Sequence, residues 1–287
     1  MERTSFTATT GLGEIVGWVA GQGPPVLALH GGPGLNFDYL DTLVEEVAER
    51  YRVATFQQRG LAPSTADGEF TIAEAVGDLV VVLDELGWDS AYLLGHSWGG
   101  HLALHAATAI PHRLSGVLAV DPLGAVGDGG TAEFTAQLVV RMPDANRPRF
   151  EELEAKESAE GLSPEEDAEQ LGLVWPSYFA EPSTAPAMPP VKVSQASYEG
   201  LVADLNARLP KLEVALSTIE VPVGVLVGER SPIPMTAGTD TADRIPGGWW
   251  SAAPGAGHFI WLEAPDAVLA AMTRLTGRPA VPSVSPL

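Results

Sequence analysis

Residues 91–100 read AYLLGHSWGG. The first four of these residues form a short, continuously apolar run, which is typical of a strand buried on both faces. The run leads into the pattern G-x-S-x-G, with Ser97 between Gly95 and Gly99, and an Ala- and Leu-rich segment up to Pro111 predicts a helix. A sharp turn between strand and helix would lift the Ser97 hydroxyl clear of the sheet, and the glycines would keep the backbone from blocking it. The pattern therefore predicts that Ser97 is a nucleophile.

Strand-like and helix-like segments alternate on both sides of this stretch. Short apolar runs predict strands at 26–29, 52–56, 91–94, 117–120, 221–227 and about 249–252. Between them, apolar residues at helical spacing predict a helix over 72–83, which Thr71 and Glu74 would cap, and a final helix over about 263–275. This alternation predicts an α/β protein with a doubly wound, mostly parallel sheet.

The alternation stops after Pro122 and resumes at Val221. The intervening segment contains a polar, helical-looking stretch over 150–168 and five prolines within 176–190. We interpret it as an inserted helical lid. The predicted division is a core of residues 1–121 and 221–277, a lid of residues 122–220 and a C-terminal tail of residues 278–287.

Composition excludes several classes of function. The chain has 37 Asp and Glu against 16 Lys and Arg, a net charge of −21, which would repel a polyphosphate backbone or an anionic lipid surface. We therefore expect a small-molecule substrate and neither a nucleic-acid nor a membrane partner, and we leave the oligomeric state open. The absence of cysteine excludes a thiolate nucleophile. Because no apolar run is long enough for a signal peptide or a membrane span, we expect a cytoplasmic location.

A second glycine-rich motif, HGGPG over residues 30–34, directly follows the predicted strand over 26–29. A turn without bulky side chains lets a backbone N–H point at the negative charge that develops beside an attacked carbonyl. We predict that the N–H groups of Gly32 and Trp98 form this oxyanion hole. A phosphate-binding glycine loop is the alternative, but no lysine follows a glycine anywhere in the chain, so the Walker A pattern is absent.

His258 is the predicted general base. It is the only histidine in residues 113–287, and it lies in the sequence GAGHF beyond the last predicted strand. His101 and His105 stand four residues apart on one helix and could mimic a metal-binding pair. No adjacent glutamate or third ligand accompanies them, so a packed or solvated helix face is expected, and no metal site is predicted.

These motifs resemble the α/β-hydrolase superfamily. HGGPG together with GxSWGG is similar to the branch that includes proline iminopeptidases, C–C bond hydrolases, esterases and lactonases. The resemblance covers about 1–121 and 221–277 and implies that the helical lid is inserted after the sixth strand. It also implies acyl transfer by a serine, an acid and a histidine, in that order along the chain, with no metal or organic cofactor. Epoxide hydrolases and haloalkane dehalogenases share the fold but act through an ester on Asp, so Ser97 disfavours their chemistry.

The sequence departs from this family at the acid. Most relatives place an Asp after the seventh strand, where this chain reads GERSP and has Ser231. A minority, including some dehalogenases and lactonases, takes the acid from the end of the sixth strand, which is occupied here by Asp121. We predict Asp121 as the triad acid and keep Glu229 as an alternative. Asp240 and Asp243 lie on the following helical segment and should face away.

The substrate pocket is less well determined by the sequence. The candidates for an apolar lining are Trp175, Tyr178, Phe179 and Met188 of the lid, with Trp261 nearby. These side chains would suit an ester or lactone with a hydrophobic body, and they would fit a lid core equally well. An aminopeptidase would need lid carboxylates aimed at a substrate amine. Residues 151–170 contain nine acids with few apolar positions, which is typical of a solvated helix face.

Three functions follow from these patterns. The leading hypothesis is a serine hydrolase that cleaves a carboxylic ester or lactone with Ser97, Asp121 and His258. The second is a proline-iminopeptidase-like exopeptidase, which the HGGPG motif favours. The third is a binding protein that kept the fold and lost catalysis together with the usual acid.

Overall fold

The computed structural model describes residues 1–277, so the predicted tail over 278–287 lies outside the described residues. Within these residues, eight strands form one sheet: β1 (Arg3–Thr10), β2 (Gly13–Ala20), β3 (Pro25–Leu29), β4 (Arg52–Phe56), β5 (Ala91–His96), β6 (Leu114–Val120), β7 (Val223–Gly228) and β8 (Trp249–Ala253). Their order across the sheet is β1-β2-β4-β3-β5-β6-β7-β8. β2 pairs antiparallel with β1 and β4, and all other neighbouring strands run parallel.

Helices pack on both faces of this sheet, and residues 1–277 contain ten α-helices in all. They are α1 (Asp41–Ala48), α2 (Ile72–Glu85), α3 (Trp98–Ala109), α4 (Thr131–Arg141), α5 (Arg147–Glu160), α6 (Pro164–Val174), α7 (Gln195–Ala215), α8 (Met235–Asp243), α9 (Ile260–Glu263) and α10 (Ala267–Thr276). Alternate residues of β3 enter opposite cores, because successive side chains of a strand point to opposite faces. Leu27 and Leu29 belong to the apolar core that also contains residues of α2, α3, α7 and α8, whereas Val26 and Ala28 belong to the core that contains residues of α1 and α10. The predicted doubly wound α/β sheet is therefore confirmed.

The first two strands were not predicted from the sequence. β1 reads RTSFTATT and buries only Ala8 fully, so it lacks the continuous apolar run that marked the central strands. It lies at the edge of the sheet, where one face and one side meet solvent, and such a strand needs few apolar residues. The antiparallel hairpin of β1 and β2 extends the sheet beyond β4.

Two predicted helices are each divided in the structure. The stretch over 150–168 becomes α5 and α6, because Gly161 has φ +82° and Ser163 begins α6 with a capping box completed by Glu166. The predicted C-terminal helix becomes α9 and α10, and the break precedes Ala267 at Asp266, which has φ +66°.

The residues between β6 and β7 contain α4, α5, α6 and α7. Helix α7 packs Leu201, Leu205, Leu209 and Leu212 into the same apolar core as α2 and α3. The C-terminal part of the predicted lid therefore packs into an apolar core of the sheet. The division into core and lid stays a prediction. No helix within residues 1–277 is both long and apolar enough to cross a membrane.

Candidate active site

Ser97 lies at the turn between β5 and α3. Its backbone has φ 55° and ψ −122°, a conformation that L-residues rarely adopt. Glycines on both sides make this turn possible: a Cβ on Gly95 would overlap the carbonyl oxygen of Gly99, and a Cβ on Gly99 would come 2.7 Å from the His30 oxygen. Ser97 is 8% exposed and is one of the residues that line a cavity.

Asp121 and His258 meet beside this turn. Asp121 directly follows β6, and its carboxylate Oδ2 accepts a hydrogen bond from His258 Nδ1–H at 2.6 Å. The two side chains are 2% and 3% exposed. The His258 backbone N–H donates to the Tyr178 carbonyl at 2.8 Å, so the segment between β6 and β7 helps to hold the histidine. A histidine whose Nδ1–H is bound in this way presents Nε2 as the free proton acceptor.

Ser231 has a role that the sequence analysis missed. Its hydroxyl donates to Asp121 Oδ2 at 2.5 Å and accepts the Ile233 N–H at 3.0 Å. The other oxygen of Asp121 accepts the Gly228 N–H at 2.9 Å. The residue that replaces the usual acid after β7 therefore binds the carboxylate at the end of β6. The sequence contained one sign of this contact, namely a serine at the position where most relatives have the acid.

The alternative acids lie away from His258. Glu229 is exposed, and its Oε2 accepts the Gly255 N–H at 2.8 Å. Asp240 and Asp243 are exposed on α8. Among these four carboxylates, Asp121 is the one that contacts the imidazole of His258.

The peptide between Gly31 and Gly32 is held by the side chain of His30. His30 Nδ1–H donates to the Gly31 carbonyl at 2.8 Å, while His30 Nε2 accepts the Gln58 N–H at 3.1 Å. Across a trans peptide the C=O and the following N–H point in opposite directions. Holding the Gly31 carbonyl on one side therefore directs the Gly32 N–H away from His30, and within residues 1–277 this N–H has no hydrogen-bond acceptor.

The second predicted donor begins a helix. Trp98 is the first residue of α3, so its N–H lacks an intrahelical acceptor. The Trp98 indole donates to Gln58 Oε1 at 3.0 Å, and Gln58 Nε2 donates to the His30 carbonyl at 2.9 Å. Gln58 thus connects both sides of the predicted oxyanion hole. Burial lowers the pKa of His30 to about 4, which keeps its ring neutral and able to accept from Gln58.

A cavity of about 420 Å³ opens over Ser97, Gly32 and His258. Of the five predicted pocket residues, Trp175 and Tyr178 line it. Phe179 is buried against Trp175, and the indole of Trp261 donates to Thr42 at 3.1 Å, so neither lines the cavity. Met188 lies near α6 and is also outside the lining. The apolar lining that was not predicted includes Phe134, Leu138, Val139, Phe150, Val174 and Leu205.

Three carboxylates of the segment between β6 and β7 reach the same cavity. Glu154 and Glu157 of α5 and Asp167 of α6 line it, although the two glutamates are also exposed. Burial, followed by the charge of Glu157, raises the pKa of Asp167 above its usual range. The acidic stretch over 151–170 is thus a largely solvated surface, as expected, and three of its members also border the cavity.

His101 and His105 are buried side by side on α3, with ring centroids 5.0 Å apart. His101 Nδ1–H donates to the Leu123 carbonyl at 3.3 Å, which ties the helix to the loop that follows Asp121. The helix face is therefore packed rather than solvated. No three side chains of His, Asp or Glu within residues 1–277 form a group that could hold a metal ion.

Curated relatives match parts of this chain. Epoxide hydrolase B of Mycobacterium tuberculosis is 35% identical over 102 residues, which cover 34% of this chain and 29% of that protein. A proline iminopeptidase of Lactobacillus delbrueckii subsp. lactis is 40% identical over 87 residues, which cover 28% of this chain and 29% of that protein. The chain thus aligns with about three tenths of the length of these two relatives.

Solved structures align with nearly the whole chain. An N-acyl homoserine lactone degrading enzyme has a TM-score of 0.66 and 24% identity, and the alignment covers 94% of this chain and 99% of that one. The enol-lactonase from Burkholderia xenovorans has a TM-score of 0.67 and 16% identity over 95% of this chain and 100% of that one. At such identities these similarities show the fold alone. Sequence similarity to the Alpha/beta hydrolase family extends over residues 26–271, and the chain therefore belongs to that family.

Proposed function

We propose that this protein is a serine hydrolase that cleaves a carboxylic ester or lactone through an acyl-enzyme on Ser97. One observation carries the proposal: the 2.6 Å hydrogen bond from His258 Nδ1–H to Asp121, at the cavity that Ser97 also lines. A buried carboxylate on Nδ1 selects the tautomer in which Nε2 accepts a proton and stabilises the imidazolium that then forms.

The proposed reaction has two halves. His258 Nε2 takes the proton of Ser97 Oγ, the oxygen attacks the substrate carbonyl, and the N–H groups of Gly32 and Trp98 bind the oxyanion. The tetrahedral adduct collapses, the C–O bond to the leaving group breaks, and the leaving oxygen takes the proton from His258. Water then gives a proton to His258 and attacks the acyl carbon, after which Ser97 leaves with that proton and the acid product forms.

The cavity supports an ester or lactone with a hydrophobic body. Its walls include aromatic and aliphatic side chains from α4, α5 and α6, among them Phe134, Phe150 and Val174. The similarity to an epoxide hydrolase does not carry over to the reaction proposed here. Epoxide opening in that branch forms an ester on Asp, whereas this chain has Ser97 at the turn.

An aminopeptidase of the proline iminopeptidase type is the second candidate. The specific observation that favours it is the presence of Glu154, Glu157 and Asp167 in the cavity lining, since carboxylates bind the ammonium group of a peptide N-terminus. The segment that is 40% identical to a proline iminopeptidase supports the same candidate. Two of the three carboxylates are exposed to solvent, which weakens their attraction for a cation and ranks this candidate second.

An activity-based fluorophosphonate probe tests the proposed nucleophile. We expect the folded protein to be labelled and the Ser97→Ala variant to remain unlabelled, because the probe reacts with an activated serine hydroxyl. Ser90→Ala is the matched control, because Ser90 bonds to Ser115 at the opposite end of β5, and it should be labelled like the original protein. A folded protein that resists the probe would support the third hypothesis, a binding protein without catalysis.

Substrate preference is tested with nitrophenyl esters and lactones beside a prolyl naphthylamide. We expect the esters or lactones to give the higher kcat/KM. A higher value for the prolyl amide, lost in Glu157→Gln, would establish the aminopeptidase instead.

A further inference from the structure

Tyr39 and His96 form a hydrogen-bond chain between the two sides of the site. The Gly31 N–H donates to the Tyr39 hydroxyl oxygen at 2.5 Å, and that hydroxyl lies 2.9 Å from His96 Nδ1. His96 Nε2 lies 3.1 Å from the carbonyl oxygen of His258. We infer that Tyr39 and His96 are positioning residues that fix the oxyanion loop and the general base relative to each other.

The direction of each hydrogen bond follows from the groups at the two ends of the chain. The His258 carbonyl can only accept, so His96 carries its proton on Nε2 and donates it there. His96 Nδ1 is then an acceptor and requires the Tyr39 O–H as its donor. The Tyr39 oxygen in turn accepts from the Gly31 N–H, which can only donate. Each proton of this hydrogen-bond chain therefore has a single position, and the arrangement is possible only when His96 is neutral.

The surroundings keep both side chains in these states. Burial, reinforced by the nearby His258, holds the pKa of His96 well below its usual range, so the ring stays neutral. Burial also raises the pKa of Tyr39 above its usual range, so the hydroxyl keeps its proton. The His96 ring packs 4.4 Å from the His258 ring and edge-on to Trp261 at 4.8 Å, measured between centroids.

Neither residue has a free atom for proton transfer, so both act by holding other groups in position. Both ring nitrogens of His96 face protein groups, and the Tyr39 hydroxyl bonds on both sides. Gly31 packs directly against the nucleophile, since a Cβ on it would come 3.0 Å from Ser97 Cβ. The hydrogen-bond chain thus joins the loop after β3, the end of β5 and the loop that contains His258. A shift of about 1 Å in any of these groups would cost on the order of 100-fold in rate.

The inference rests on the proposed serine hydrolase and is tested with the full-length protein. The measurements are the rate constant of fluorophosphonate labelling and, for an ester that the protein cleaves, kcat and KM separately. We expect Tyr39→Phe to lower the labelling rate and kcat by about 10- to 100-fold with little change in KM, because substrate binding is preserved and transition-state positioning is lost. Tyr51→Phe, which removes another buried hydroxyl that bonds to Thr276, is the matched control and should label at the original rate.

A double-mutant cycle tests whether the two residues act as one chain. His96→Gln keeps a donor at the place of Nε2 and removes the acceptor at Nδ1. It should therefore slow the original protein as much as Tyr39→Phe does and slow the Tyr39→Phe variant hardly at all. Independent, multiplying effects would overturn the inference. So would Tyr39→Phe with an unchanged labelling rate and kcat.

The experiments distinguish failure of the positioning role from failure of the proposed function. If neither the original protein nor its variants react with the probe, the serine hydrolase is refuted, and the positioning role falls with it. If the original protein reacts and Tyr39→Phe reacts equally fast, the positioning role alone is refuted. Should His96→Gln fail to fold, the comparison of Tyr39→Phe with Tyr51→Phe still decides the question, since both variants delete a single hydroxyl.

Discussion

Asp121 combines a special backbone conformation with three hydrogen-bond donors. Its φ of 44° lies in the left-handed region, where Asp is tolerated better than most residues. The N–H of Gly228, the hydroxyl of Ser231 and Nδ1–H of His258 all donate to its carboxylate. A buried carboxylate needs such partners, because burying an uncompensated charge is costly. Ser231 therefore supports the carboxylate that we propose as the triad acid.

At the residue scale, we predict that Asp121→Asn lowers kcat by about 10³- to 10⁴-fold. The amide would present an N–H or a weaker acceptor to His258 Nδ1 and would no longer stabilise an imidazolium. Glu229→Gln is the matched control, since Glu229 is exposed and bonds to Gly255 rather than to His258. Steady-state kinetics on a cleaved ester measure both variants. If Asp121→Asn kept near-full turnover while Glu229→Gln abolished it, Glu229 would be the acid.

At the element scale, the loop after β4 connects the site to helix α2. Gln58 in this loop bonds to His30 and to the Trp98 indole, and the next residue, Arg59, forms two hydrogen bonds with Asp78 of α2 at 2.7 and 2.6 Å. The side chains of Arg59 and Asp78 are 4% and 5% exposed. The ion pair therefore anchors the loop that holds both sides of the predicted oxyanion hole.

We predict that Asp78→Asn lowers the free energy of unfolding by about 3 kcal/mol, because it leaves the Arg59 charge buried without its main partner. Glu74, which lies 3.3 Å from Arg59 and is partly exposed, keeps the loss at the lower end of the usual range. Urea unfolding measures the change.

The matched control lies on the same helix. Asp84→Asn removes the partner of Arg113 in an exposed pair and should cost less than about 1 kcal/mol. Equal effects of the two substitutions would show that the loop is not held by the buried pair.

At the scale of the whole molecule, the protein buries histidines in their neutral form. Burial lowers the pKa of His30 and His101 to about 4, and burial together with His101 and Arg208 lowers that of His105 to about 3. In the unfolded chain each would titrate near pH 6.5. Between pH 6.5 and 4 the unfolded state therefore binds more protons than the native state, and the free energy of unfolding falls as the pH falls.

We predict that acidification from pH 6.5 to 4 destabilises the protein, with a slope of up to about 1.4 kcal/mol per pH unit for each buried histidine. Glu46 opposes this trend between pH 4.5 and 6, because burial raises its pKa to about 6 and the native state then binds the extra proton. Burial also holds the pKa of His96 well below its usual range, so four buried histidines outweigh this glutamate. Urea midpoints at pH 7, 6 and 5 measure the slope.

Variants identify the groups responsible for this slope. His105→Gln should flatten it by the share of one histidine. His112→Gln, at an exposed position, should leave it unchanged. A midpoint that did not move between pH 7 and 5 would contradict the prediction.

Asp121 was predicted from the resemblance to hydrolases that take the acid from the end of the sixth strand. Ser97 and His258 were predicted from local patterns: a serine between two glycines after an apolar run, and a lone late histidine. Such local patterns depend on residues close together in the chain, so they can be recognised before the fold is known. Of the predicted pocket residues, Phe179, Met188 and Trp261 lie outside the lining of the cavity over Ser97. An aromatic side chain serves a core and a pocket equally well, and which it lines depends on how α4, α5 and α6 pack.

Strand periodicity and turn chemistry are local properties, and they were enough to predict the class of fold and the candidates for the nucleophile and the base. The tertiary structure alone decided which carboxylate contacts His258, since Asp121 lies 137 residues away from it along the chain. It also brought Ser231 to Asp121 and Tyr39 to His96. Hydrogen bonds act over about 3 Å, and only the folding of distant segments onto one edge of the sheet brings their partners within that distance.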